Sequence, residues 1–168
     1  MFRRFREYAP AGLVPAAWGF AIAFHFGVIS NRTALIGHAI MAALLALFSI
    51  TGRAEMRTGV LQAWWLVVTA GFVVTAAGVV GLWSAGGAAL LAVALYGWML
   101  LPAIGYGYTA LAMDANAWPY VLGAIGSIVG ALSYTIGLLG VAGVAMPIGL
   151  AIVGIGQTIG IVDAVARY

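Results

Sequence analysis

The sequence predicts an all-α, polytopic integral membrane bundle of six transmembrane helices with very short loops. Three observations carry that prediction. First, 65% of residues are hydrophobic and 7% are charged, whereas a soluble domain carries about 25% charged residues. A chain so poor in charge cannot cover a water-facing surface, but it is stable where lipid is the solvent. Second, the apolar runs are long and unalternating, rich in Ala, Leu, Val and Gly, with none of the period-two pattern of a membrane β-barrel. Third, short polar breaks divide these runs into lengths near the ~20 residues that a spanning helix needs. Mean hydropathy, +1.13, agrees.

The elements follow in order. MFRRFREY is basic and aromatic, and reads as an interfacial anchor with Arg3, Arg4 and Arg6 on anionic headgroups. Pro10 marks the start of a first span over 11–30, long enough to cross and with no small-residue cleavage site after it. Asn31-Arg32 reads as a turn with Thr33 as N-cap of a second span over 34–52. Gly52 and the charged loop Arg53-Ala54-Glu55-Met56-Arg57 stop it. The third span covers 59–83, and Ser84-Ala85-Gly86-Gly87 turns into the fourth, 88–112. Asp114-Ala115-Asn116 leads to the fifth, 117–139, with Pro119 tolerated in its first turn. Gly140-Val141-Ala142-Gly143 is a tight turn into the sixth, 144–166. The six spans form one domain, 1–168, and leave no room for a soluble catalytic domain.

Six spans put both termini on one side, together with Arg3, Arg4, Arg6, Arg53, Arg57 and Arg167, against Arg32 alone on the other. The positive-inside rule then predicts a multi-pass protein of the cell membrane with both termini cytoplasmic. Trp64, Trp65, Tyr106, Tyr108, Trp118 and Tyr120 fall near the inner ends and Trp83 near an outer end, as an aromatic belt does. The net charge of +3 comes from helix ends and suits lipid headgroups, not nucleic acid.

Small residues form stripes that let helices approach. These are Gly123, Ser127 and Ala131 beside Gly126, Gly130 and Gly137 in span five, Gly149, Gly156, Gly160 and Asp163 in span six, and Gly71, Thr75 and Gly78 in span three. They predict close packing of spans three, five and six, with the faces of spans five and six as the seam of a homo-oligomer or membrane complex. GIGQTIG, 154–160, follows no strand and lacks phosphate-loop spacing. The Asn31 sequon lies too close to the membrane to count.

Chemistry is sparse. Cysteine is absent, which removes disulfides, thiolate metal sites and cysteine nucleophiles. Glu7, Glu55, Asp114 and Asp163 all lie at span ends or in loops. No paired carboxylates, Ser/His/Asp set or metalloprotease motif occurs, so an enzyme is disfavoured. The polar residues inside spans include Gln62, Thr69, Thr75, Trp98, Ser127, Ser133, Gln157 and Thr158. His25 and His38 are the two histidines, equally far on either side of Asn31-Arg32. An antiparallel hairpin would put both about 10 Å below the turn. With Tyr96 and Tyr134 they are the candidate lining of one outer-half pocket. Two level imidazoles could ligate haem b, or hydrogen-bond a quinone beside a tyrosine. Each could equally hydrogen-bond a neighbouring helix and serve packing. The expected function is non-enzymatic: a small carrier for a neutral or amphipathic solute, or a subunit of a larger membrane assembly. The alternative is a haem b- or quinone-binding redox subunit using His25 and His38.

Overall fold

A computed structural model describes residues 2–167 of the chain, with side chains from residue 11 onward. Six helices follow one another: α1 (Phe2–His25), α2 (Asn31–Gly52), α3 (Gly59–Trp83), α4 (Ala88–Leu111), α5 (Trp118–Leu138) and α6 (Ala145–Arg167). No strand occurs among the described residues. Helices α2 to α6 are each long and apolar enough to cross a membrane, while α1 contributes a shorter apolar stretch, Ala11–His25. The 21 residues of α5, the shortest of the five, rise about 32 Å, just above a hydrocarbon core of about 30 Å. The protein is a polytopic helical membrane bundle. The predicted headgroup contacts of Arg3, Arg4 and Arg6 lie outside the described side chains.

The predicted bounds of spans three to six match the helices to within one residue, and Pro119 sits in the first turn of α5. The first hairpin differs. Residues 26–30 make the turn, and Asn31-Arg32 already belong to α2. Two local devices explain this. Gly27, at φ +72, ends α1 in a Schellman motif: Val28 N–H donates to Ala23 O at 2.9 Å and Gly27 N–H to Phe24 O at 3.0 Å. Ser30, not Thr33, is the N-cap, its hydroxyl accepting from Thr33 N–H at 3.2 Å. Gly140, at φ +76, repeats the Schellman motif where that turn is predicted. Ser30→Ala is therefore expected to cost about 1 kcal/mol in thermal unfolding, with Ser30→Asn close to wild type. A larger loss in Thr33→Val than in Ser30→Ala would restore Thr33 as the cap.

The helices alternate in direction. At one end, the turn end, lie the turns 26–30, 84–87 and 139–144. The other, the arginine end, holds the loops 53–58 and 112–117 and the end of α6. There Trp65 Nε1 donates to Ser49 O at 2.8 Å, Trp64 Nε1 to Thr109 Oγ1 at 3.0 Å and Arg167 to Asn116 O at 3.3 Å. Asp163 and Arg167 form the i,i+4 ion pair that their spacing predicts.

Packing runs α2–α3–α4–α5–α6–α1, with α4 also touching α6 across the bundle. The main partner of α1 is thus α6, although Phe20 reaches over Gly37 of α2. The stripes of α5 and α6 meet each other: a methyl on Gly149 would fall 2.5 Å from Gly130 O, and one on Gly156 3.2 Å from Leu122 O. The α3 stripe works differently from the prediction. It packs on α2 and α4 and receives bulky rings instead of backbone. Trp98 of α4 lies over Gly71 and His38 of α2 over Gly78.

The aromatic belt is narrower than predicted. Trp83, Trp118 and Tyr108 are 80%, 60% and 47% exposed, but Tyr106 and Tyr120 are each 1% exposed. Tyr106 is wedged between Gly123 of α5 and Gly160 of α6. Hydrogen bonding draws these end-of-helix rings inward, a choice that depth in the sequence does not reveal.

Candidate functional site

Polar side chains gather at two places in the bundle, and their hydrogen bonds separate the roles. The first is the midplane. Pro102 lies inside α4. Having no N–H, it leaves the carbonyl of Trp98, four residues back, without its helical partner. Gln157 of α6, 3% exposed, fills the gap with its amide nitrogen at 3.0 Å. The same nitrogen donates to Ser127 Oγ of α5 at 3.1 Å, and Gln157 Oε1 accepts from Trp18 Nε1 of α1 at 2.9 Å. The Tyr106 hydroxyl donates to the Gln157 carbonyl at 2.7 Å. Trp98 extends the chain to α3, its Nε1 donating to Thr75 Oγ1 at 2.8 Å while Thr75 donates to Gly71 O at 2.7 Å. Five helices, α1 and α3 to α6, are joined through one glutamine.

Every hydrogen-bonding group of the Gln157 side chain has a protein partner. Such a network braces a core and leaves the Gln157 side chain no free group for a solute. Gln157 and Trp98 stand out in the sequence as intramembrane polar residues, but Trp18 and Pro102 do not. The readable signal is a proline inside one span and a glutamine at the midpoint of another, because an orphaned carbonyl in lipid requires a donor.

The second place is the turn end. His25 is the last residue of α1. Its ring meets Tyr134 of α5 edge-on at 5.8 Å, and Tyr134 meets Tyr96 of α4 at 5.9 Å. Tyr96 OH lies 2.7 Å from Thr135 Oγ1, whose own proton goes to Ala131 O at 2.8 Å, so Tyr96 is the donor. Tyr134 is 8% exposed, its ring against a core that includes Met99 and Leu150. Among the described residues neither the Tyr134 hydroxyl nor the His25 ring nitrogens make a hydrogen bond. His25 is exposed, and Phe26 and Val28 beside it are 60% and 79% exposed. The arrangement is an aromatic wall with an imidazole and a phenol available, reached from an apolar rim.

His38 does not join them. It is seven residues into α2, about 10 Å below the helix start, whereas His25 ends α1 at the turn. The equal depth expected from a turn at Asn31-Arg32 disappears once the turn moves to 26–30. His38 Nδ1 bonds Ala34 O of its own helix at 3.0 Å, and its ring packs on Gly78 beside Ala94. Ala94 and Tyr96, two residues apart, lie on opposite sides of α4. Three of the four predicted residues therefore meet, and the fourth fills the α2–α3 interface. The described residues contain no group of three or more His, Asp or Glu placed to hold a metal ion.

Comparison with protein-family models, with curated proteins and with solved structures finds no match for the chain.

Proposed function

We propose that the protein is a non-enzymatic membrane carrier that takes up an amphipathic solute at the turn end, between α1, α4 and α5. The observation that carries this reading is the contact of His25 with Tyr134, which keeps hydrogen-bonding atoms uncommitted while those of Gln157 at the midplane are satisfied. The solute class follows from the chemistry. An imidazole and a phenol donate to or accept from a carbonyl or hydroxyl head, and Phe26 and Val28 suit an apolar tail. The haem alternative with His25 and His38 as axial ligands loses its support, since the two imidazoles pack in different interfaces.

Titration of the detergent-purified protein with an alkyl-substituted benzoquinone tests the site. Tyr134→Phe removes one hydrogen bond worth about 1 kcal/mol, so binding is expected to weaken about fivefold, and His25→Ala similarly. Equal affinity in wild type and both variants would sink the proposal. A Soret band lost in His25→Ala would move the protein to the redox class.

The proposed orientation has both termini in the cytoplasm and the His25 site facing outward. It rests on arginine asymmetry, with Arg53, Arg57 and Arg167 at one end and Arg32 at the other. The chain has no cysteine, so Arg32→Cys and Asp114→Cys can each be probed with an impermeant maleimide. They are expected to label from opposite faces, Arg32→Cys from outside. Labelling of both from one face would overturn the topology.

A further inference from the structure

At the arginine end the outer surface carries a different feature. Between α3 and α4 runs a groove open to the bilayer, in two stretches of about 450 and 460 Å³ that share Ala70, Leu101 and Ile104. Its lining is apolar apart from Tyr96, whose hydroxyl is engaged with Thr135, and the arginine end, where Gln62 and Tyr108 stand at the mouth beside Gly59. Gly59 is the first residue of α3, and the exposed Arg57 lies two positions before it. The loop that ends there holds Arg53, Glu55 and Arg57, two positive charges against one negative.

We propose that this groove is a binding site for one anionic phospholipid, an acyl chain lying along α3 and α4 and the phosphate against Arg57. Dimensions and charge point to that occupant. From Gly59 to Ala70 is 11 residues along α3, a rise of about 16 Å. Half of a hydrocarbon core about 30 Å thick is about 15 Å, so the stretch nearest the arginines matches the depth of one leaflet's tail. The polar mouth falls where the glycerol and headgroup of such a lipid would lie, and its neighbouring charge is positive. The stretch nearest the arginines includes none of His25, Tyr96 and Tyr134; Tyr96 lines only the stretch toward the turn end.

Native mass spectrometry of the full chain, titrated with phosphatidylglycerol or phosphatidylcholine, tests the proposal with two variants. Arg57→Gln removes the phosphate partner. Ala70→Phe fills the groove from its lipid-facing side, and circular dichroism checks that both variants remain helical. Wild type is expected to bind the first phosphatidylglycerol about fivefold more tightly than phosphatidylcholine, the contribution of one arginine at the surface. Arg57→Gln should abolish that preference and Ala70→Phe should weaken both lipids. Preference retained in Arg57→Gln would overturn the assignment of the phosphate. Binding of both lipids unchanged in Ala70→Phe would overturn the groove and leave only attraction to surface charge. A dimer mass lost in Ala70→Phe would mean that a second copy occupies the groove, which also overturns the proposal.

Discussion

Gln157→Leu is expected to lower the stability of the bundle by about 2–5 kcal/mol, taking three lost interhelical hydrogen bonds at about 0.6–1.7 kcal/mol each. Leucine is close to glutamine in volume, so the loss comes from polar groups and not from a void. The Trp18 indole loses its acceptor, the Trp98 carbonyl its donor and Ser127 a partner, all in the middle of the bundle. The cause can be isolated through Pro102. In Pro102→Ala the new N–H can restore the helical bond to Trp98 O, so that carbonyl no longer depends on Gln157. The double variant Gln157→Leu/Pro102→Ala is then expected to lose less than the sum of the two single changes. The coupling should be about 0.6–1.7 kcal/mol, the worth of one interhelical bond. Unfolding in increasing dodecyl sulfate, followed by circular dichroism, measures the cycle. Additivity to within about 0.5 kcal/mol would show that the proline and the glutamine are not linked.

That coupling is also why the midplane is hard to read from sequence. A proline inside span four says that a carbonyl is orphaned, but not which helix supplies the donor. Trp18, Ser127 and Gln157 lie on three helices, and only their packing brings them together. The class of the fold is legible because it rests on composition: lipid accepts what water rejects. The charged loop at 53–57 and the glycine turn at 140 are legible because each has a local physical cause. The first hairpin is not, because two turn signals compete there. Asn31-Arg32 looks like a turn, yet the Ser30 hydroxyl caps α2 and Gly27 ends α1. A shift of a few residues undoes the equal depth of His25 and His38. Depth alone singles out Tyr134 and Tyr96. Tyr134 meets His25, and Tyr96 meets Tyr134, because α1 packs on α6 beside α5, which is a fact about facing and not about sequence position.

Facing is also what makes Gly149 of α6 intolerant of a larger side chain. In Gly149→Val the new Cβ would stand 2.5 Å from Gly130 O, 2.6 Å from Tyr134 N and 3.0 Å from Tyr134 Cα. All three are backbone atoms of α5, so no rotamer change relieves the contact and the two helices must part. A cost of about 3 kcal/mol, the upper part of the usual range for overpacking, is expected in the same unfolding assay. Gly19→Ala on α1 is the control. Nothing lies within 4 Å of a methyl there, so the change should be neutral or stabilising by up to about 1 kcal/mol through helix propensity. The same geometry links stability to the proposed site. Two of the three atoms that the Gly149→Val side chain would displace belong to Tyr134, which faces His25. Parting α5 from α6 should therefore weaken benzoquinone binding in whatever Gly149→Val protein remains folded, while Gly19→Ala binds as wild type. If folded Gly149→Val protein bound the quinone normally, the ligand site would have to lie away from Tyr134 even though the seam still set the stability.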